Sequence, residues 1–302
     1  MEIFKETSKI DFMGKRKLAL GISGLLIVIS LVSIAFQGGL SYGIDFAGGT
    51  LVQLRFKSAP SVDSIRTGLK EIGLGDSTIQ EFGSKNEILI RTATSSSELK
   101  EVGSRIKDAL LKGGSEDDII VDRVELVGPK VGADLREKAL LSIVYAIAGI
   151  LIYISWRFEF QFAIAAVLAL MHDVMITMGV FSILNIEFTL VVVAGFLTLI
   201  GYSLNDTIVV FDRIRENTRR QGKETLENMI NLSVNQTLSR TLLTSGTTLL
   251  VVIALFVLGG EIIHDFSLTL LVGVAVGTYS SIFIASVFLV YWESKRRTKK
   301  RA

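Results

Sequence analysis

Residues 188–211 read FTLVVVAGFLTLIGYSLNDTIVVF. A helix crosses the hydrocarbon core of a bilayer with about 20 apolar residues, and this run is long enough. It also carries one charge, Asp206, and a string of polar side chains in Tyr202, Ser203, Asn205 and Thr207. A charge inside a span is expensive, so its presence marks function by default. On a helix, Gly195, Thr198, Tyr202, Asn205 and Val209 fall on one stripe, with Asp206 on its flank. Small and polar residues on one face, Gly201 beside them, predict close helix packing or access to water. Arg213 follows seven residues later, about 10 Å along a helix axis. With Arg213 at the surface, Asp206 lies inside the hydrocarbon.

Working outward, five more segments qualify as spans: 18–36, 139–156, 160–186, 241–260 and 266–292. The chain has 302 residues, 49% of them hydrophobic, and a mean hydropathy of +0.51. Gathered into long uncharged runs, that content predicts an α-helical polytopic membrane protein with six transmembrane helices. Two prolines and no cysteine exclude collagen, disulfide scaffolds and thiolate metal sites. A formal charge of +2 lends no bulk support to a nucleic-acid partner. Lys15, Arg16 and Lys17 precede the first span, which is too long for a signal core and is read as an uncleaved anchor. Basic residues gather at 1–17, at Arg157, between Arg213 and Arg240, and in the tail 293–302. The short loops 185–187 and 261–265 hold no Lys or Arg. Both termini are therefore expected in the cytoplasm.

The segment 37–138 is then external and large enough to fold alone. Alternation over 50–56 predicts a strand, and Ile65, Leu69 and Ile72 predict a helix capped by Ser61. Strands follow at 77–82 and 87–92, joined by a turn at 83–86. A helix at 97–111 and a strand at 119–127 complete an α+β ferredoxin-like order. Gly43-Ile44-Asp45-Phe46-Ala47-Gly48-Gly49-Thr50 lacks the spacing and the lysine of a nucleotide loop, and reads as a tight connection.

Inside the remaining spans, Arg240 starts the fifth, and a charge there can pair with Asp206. A carboxylate that alternates between exposure and an arginine partner is a proton switch; a fixed pair is only a lock. His172 and Asp173 sit near mid-depth of the third span and point about 100° apart on a helix. They read as a relay or as a packed hydrogen bond. Gly273 and Gly277 are spaced for close helix approach. The mixed segment near 212–240 reads as a cytoplasmic amphipathic helix or pair at the membrane surface. The basic tail is a topology anchor that can touch anionic lipid. Ser203 and His172 could serve an intramembrane protease, but no G-x-S-x-G or H-E-x-x-H is present, and a metal site lacks histidines. No catalytic residue, metal or cofactor is expected.

Four motifs in order then resemble one family: GIDFAGGT at 43–50, ALMHDV at 169–174, GYSLNDTIVVFDRIREN at 201–217 and RTLLTSGTT at 240–248. Together they are similar to the SecD/SecF protein-export proteins, and an external region of about one hundred residues favours the SecF branch over its larger sister. The resemblance implies a twelve-span unit made with SecD, like resistance-nodulation-division transporters, in the bacterial inner membrane. It implies association with the SecY channel complex and YajC, and use of the proton gradient to finish moving preproteins. It assigns a proton-linked role to Asp206 and an essential one to Arg240. The energy is adequate: a charge crossing 100 mV yields about 2.3 kcal/mol, and one pH unit adds about 1.4 kcal/mol. A proton-driven exporter of lipid or small molecules, and a non-energetic translocase scaffold, remain as alternatives.

Overall fold

The computed structural model describes residues 8–82, 84–92, 99–111, 118–220 and 224–292. In chain order the elements are α1 (Arg16–Phe36), α2 (Ile44–Ala47), β1 (Gly49–Phe56), α3 (Val62–Glu71), β2 (Thr78–Phe82), β3 (Ser84–Thr92), α4 (Leu99–Leu110), β4 (Ile119–Val127), α5 (Pro129–Arg157), α6 (Phe160–Ile183), α7 (Leu190–Arg220), α8 (Leu226–Leu258) and α9 (Glu261–Ser280). A π-helical turn, Ser281–Ala285, carries the last helix on to Trp292. The chain divides into two compact units: 1–41, 142–186 and 191–302 form one, and 42–141 with 187–190 form the other.

Among the described residues six helices are long and apolar enough to cross a membrane. The protein is thus a multi-pass membrane protein. The fifth span proves much longer than its apolar run: α8 has 33 residues, about 50 Å against a core of about 30 Å. The segment near 212–240 accordingly forms no separate surface helix. Its described residues extend α7 past Phe211 and open α8 from Leu226. Extending an existing helix is cheaper than nucleating another. The two extensions bury Ile214, Met229, Ile230, Val234 and Leu238. Asn217 Nδ2 donates to Ser233 Oγ and Gln236 Oε1, each at 2.8 Å, and Arg213 Nε donates to Gln236 at 2.6 Å.

The N-terminal segment docks on the same extension. Asn231 Oδ1 accepts from the backbone N–H of Phe12 at 2.8 Å and Met13 at 3.2 Å, and Asn235 Oδ1 accepts from Ile10 N–H at 2.9 Å. Phe12 and Met13 are buried, and Arg16 pairs with Glu227.

The second unit is a four-stranded antiparallel sheet in the order β2-β3-β1-β4. Inward residues alternate at period two: Val52 and Leu54 of β1 lie opposite Ile90 and Ile88 of β3. Ile65 and Leu69 of α3 and Val102 and Ile106 of α4 are buried in the same core. Ser61 Oγ accepts from Ser64 N–H at 3.1 Å and caps α3. Strand β3 starts at Ser84, three residues before the expected 87, and Phe82 pairs with Ser84. After α2 the chain must turn sharply. Gly48 has φ +73°, and a Cβ there would lie 2.9 Å from Pro129 Cα.

Phe188 and Thr189, read from sequence as the start of the fourth span, belong to this second unit. Helix α7 begins at Leu190, so the aromatic ring of Phe188 packs at 6.5 Å from that of Tyr42 and 6.2 Å from that of Phe46.

Candidate functional site

Asp206 is 2% exposed on α7, in the interior of the helical unit. Its Oδ2 accepts a 2.8 Å hydrogen bond from Ser245 Oγ of α8. Thr278 Oγ1 of α9 lies 2.8 Å from both Ser245 Oγ and Val274 O, and its one hydrogen is shared between them. The carboxylate thereby anchors a hydroxyl chain across three helices. Thr244 Oγ1 lies 3.4 Å from Oδ1, but nearer to the carbonyls of Thr241 and Arg240, at 3.0 and 3.1 Å, so its bond to Asp206 is the weaker one. One turn earlier on α7, Tyr202 Oη lies 2.8 Å from both Thr244 O and Thr248 Oγ1. Two rungs of polar contact therefore hold α7 to α8.

The sequence reading paired Asp206 with Arg240. In this structure no ion pair joins them among the described residues, and Arg240 is exposed. Arg240 precedes Ser245 by more than a turn of α8. The side chains at the correct height are therefore hydroxyls, and the carboxylate takes those.

A second cluster surrounds Asp173, which is fully buried on α6. It accepts from Ser203 Oγ of α7 at 2.6 Å, Ser280 Oγ of α9 at 2.8 Å, and is 2.9 Å from His172 Nδ1. Three donors on one carboxylate satisfy a charge that would otherwise be costly to bury. The His172 ring stacks on Tyr279 at 6.1 Å, and its Nε2 has no partner among the described residues. The two neighbours were expected to diverge; the carboxylate turns back to bond the ring while its other oxygen faces α7 and α9. Ser203 stands three residues before Asp206 on α7, so the clusters are one helical turn apart.

The small residues divide by environment. A Cβ on Gly277 would lie 3.1 Å from Ser203 Cβ, and one on Gly273 would run into the Leu199 side chain, so both let α9 lie close on α7. Gly195 is buried against Thr269. Gly201 is different: among the described residues nothing lies within 4 Å of its added Cβ. It does not pack helices within this chain, and it shares an exposed face with Thr198 and Asn205. The predicted stripe is thus split, with Gly195 inside and Thr198 and Asn205 outside. Helical spacing alone places residues within about 40° of a common line, which is enough to divide a stripe between two surroundings.

The sequence reading treated GIDFAGGT as a connector and missed its contacts. Asp45 Oδ2 accepts from the backbone N–H of Leu190, the first residue of α7, at 2.8 Å. Arg91 of β3 pairs with Glu187, each side chain 15% exposed. Burial lowers the Arg91 guanidinium to about 10, opposed by the nearby charge of Asp45, so it stays cationic at neutral pH. An aspartate inside a glycine-rich connector is the one signal the sequence offered, and its partner lies 145 residues away.

Comparison with known proteins follows the same lines. The model for the C-terminal region of the protein export membrane proteins SecD/SecF matches residues 106–295, and that for the SecD/SecF GG motif matches 32–60. The protein translocase subunit SecF of Desulfurispirillum indicum is 52% identical over 293 residues, covering 95% of this chain and 92% of that one. SecF of Escherichia coli O157:H7 is 41% identical over 288 residues, with 95% and 88% covered. Among solved structures, SecDF from Thermus thermophilus matches with a TM-score of 0.87 and 36% identity over 97% of this chain. SecDF in its super-membrane-facing form matches with 0.73 and 36% over 99%. The chain spans only 40% and 41% of those two SecDF chains.

Fold and site define a multi-pass transport protein whose helices enclose paired carboxylate clusters. The chain belongs to the SecF family of protein translocase subunits, within the SecD/SecF export proteins.

Proposed function

We propose that the chain is the SecF half of a proton-driven SecD–SecF unit that acts late in preprotein translocation, with Asp206 as its proton-linked residue. One observation carries the reading: the Asp206 carboxylate is buried and held to α8 by Ser245 rather than by a fixed cation. A neutral carboxylic acid accepts more weakly than a carboxylate, so protonation loosens the bridge from α7 to α8. Arg240 is the counter-charge of the alternate state, in which α7 and α8 shift by the turn that now separates the two side chains. Asn205, His172 and Asp173 support the site: Asp173 pins α7 at Ser203, and His172 bonds the other oxygen of Asp173.

The wider assignments follow from the family. SecD supplies the other half of the helix bundle; the polar face of Thr198, Gly201 and Asn205, exposed in this chain, suits a protein neighbour better than lipid. The unit works with the SecY channel complex and YajC on a preprotein, in the inner membrane, with both termini cytoplasmic. The α/β unit is the external, ferredoxin-like domain, a reading supported by the β2-β3-β1-β4 order. Energy comes from the proton gradient, and no cofactor is used. A transport role without catalysis is the reading; Ser203 and His172 both bond to Asp173 instead of to each other, so they do not form a nucleophile–base pair.

The test is preprotein export in cells whose sole copy carries Asp206→Asn, with assembly followed by co-purification with SecD. The asparagine still accepts from Ser245 but cannot cycle a proton. Export is expected to fall to the level of cells lacking the subunit while assembly persists. Wild-type export in that strain would leave a scaffold and remove Asp206 from the mechanism.

A further inference from the structure

Glu187–Leu190 joins α6 to α7 in sequence, yet these residues fold as part of the α/β unit. Connecting loops ordinarily lie exposed and make few specific contacts. This one is held along its whole length. Phe188 O accepts from Gly43 N–H at 3.0 Å, and Tyr42 and Phe188 form a parallel β-bridge. A Cβ on Gly43 would come within 2.7 Å of Thr189 Cγ2, so the glycine allows the close approach. At one end of the loop Glu187 is ion-paired to Arg91 of β3, and both are largely buried. At the other end Asp45 Oδ2 bonds the first N–H of α7, and a carboxylate at that position also faces the positive end of the helix dipole.

We propose that Asp45, Arg91 and Glu187 are positioning residues that clamp the start of α7 to the α/β unit and so transmit the state of Asp206 to that unit. Helix α7 runs unbroken from Leu190 to Arg220 and carries Asp206 about 24 Å from the clamp. It contains no proline, so a shift at Asp206 reaches Leu190 as movement of one rod. An ion pair this far from solvent contributes little net stability against an apolar substitute, but removing one partner leaves the other charge uncompensated, so the two ends are held together. The GG-motif segment thereby acquires a role: Gly43 and Asp45 are the face that grips the loop. The inference rests on the proton-linked reading of Asp206.

The experiment uses the full chain assembled with SecD and measures two quantities separately: preprotein export, and proton flux into membrane vesicles. Arg91→Gln and Asp45→Asn are each expected to lower export about tenfold, within the usual range of coupling energies, with flux per assembled complex at the wild-type level. The charge exchange Arg91→Glu with Glu187→Arg is expected to recover most of the export lost in Arg91→Glu alone. That recovery separates a clamp from a folding defect. Wild-type export in Arg91→Gln, flux falling in step with export, or no recovery in the exchange would each overturn the proposal. Export retained in Asp206→Asn would instead overturn the proton-linked reading, whereas loss there with normal export in the clamp variants removes the clamp alone.

Discussion

Gly273 and Gly201 both sit in helices long and apolar enough to span a membrane, yet they answer to opposite constraints. At Gly273 a side chain meets Leu199 across the α7–α9 contact; at Gly201 it meets nothing. Gly273→Val should therefore destabilise the isolated chain by about 1–3 kcal/mol through overpacking. Gly201→Ala should leave it unchanged or raise its stability by up to about 1 kcal/mol, since alanine favours the helix. Thermal unfolding of the two variants in detergent checks both signs, and equal destabilisation would contradict the packing described. At this scale the identity of Asp206 as the charged residue of its span was legible from burial cost alone. Its partners were not. Ser245 and Thr244 are adjacent on α8, and which hydroxyl bonds the carboxylate depends on the rotation of α8 against α7.

Helices α7 and α8 run beyond their apolar cores, and the extension of α8 receives the N-terminal segment. Two side-chain amides there stand in for a backbone partner: Asn231 Oδ1 accepts the N–H groups of Phe12 and Met13, and Asn235 Oδ1 accepts that of Ile10. A hydrogen bond of this kind contributes about 1 kcal/mol net. Asn231→Ala with Asn235→Ala should speed amide exchange at Ile10, Phe12 and Met13 by about tenfold or more. Unchanged exchange at those amides would show that Phe12 and Met13 are held by burial alone. The apolar periodicity that located the spans gave no view of these extensions, because their residues mix charge and apolar side chains and read equally well as a separate helix at a surface. The strands and helices of the α/β unit were legible to within a few residues. There, alternation and amphipathic spacing act locally and one core takes both.

Taken whole, the chain is polytopic but shows unsatisfied design on one side of α7. Thr198, Gly201 and Asn205 are exposed, although an amide facing lipid has no partner to bond. The proposed SecD half, placed on that face, would resolve the conflict. The chain contains no cysteine, so Gly201→Cys and Asn205→Cys give single reporters. Both should react with a maleimide in the chain alone and be protected once SecD is assembled. Equal labelling in the two states would place SecD elsewhere.

The amino-acid sequence by itself determined the spans, the α/β element order, the charge at mid-helix and the family motifs. All of these depend on residues close together in the chain, whose spacing reports burial directly. Only the tertiary structure decided that Asp206 bonds Ser245 rather than Arg240, that Asp45 caps a helix 145 residues away, and that Gly201 faces outward while Gly273 faces α7. Periodicity shows which face of a helix is apolar or polar; which neighbour that face meets is set by the packing of all the helices at once.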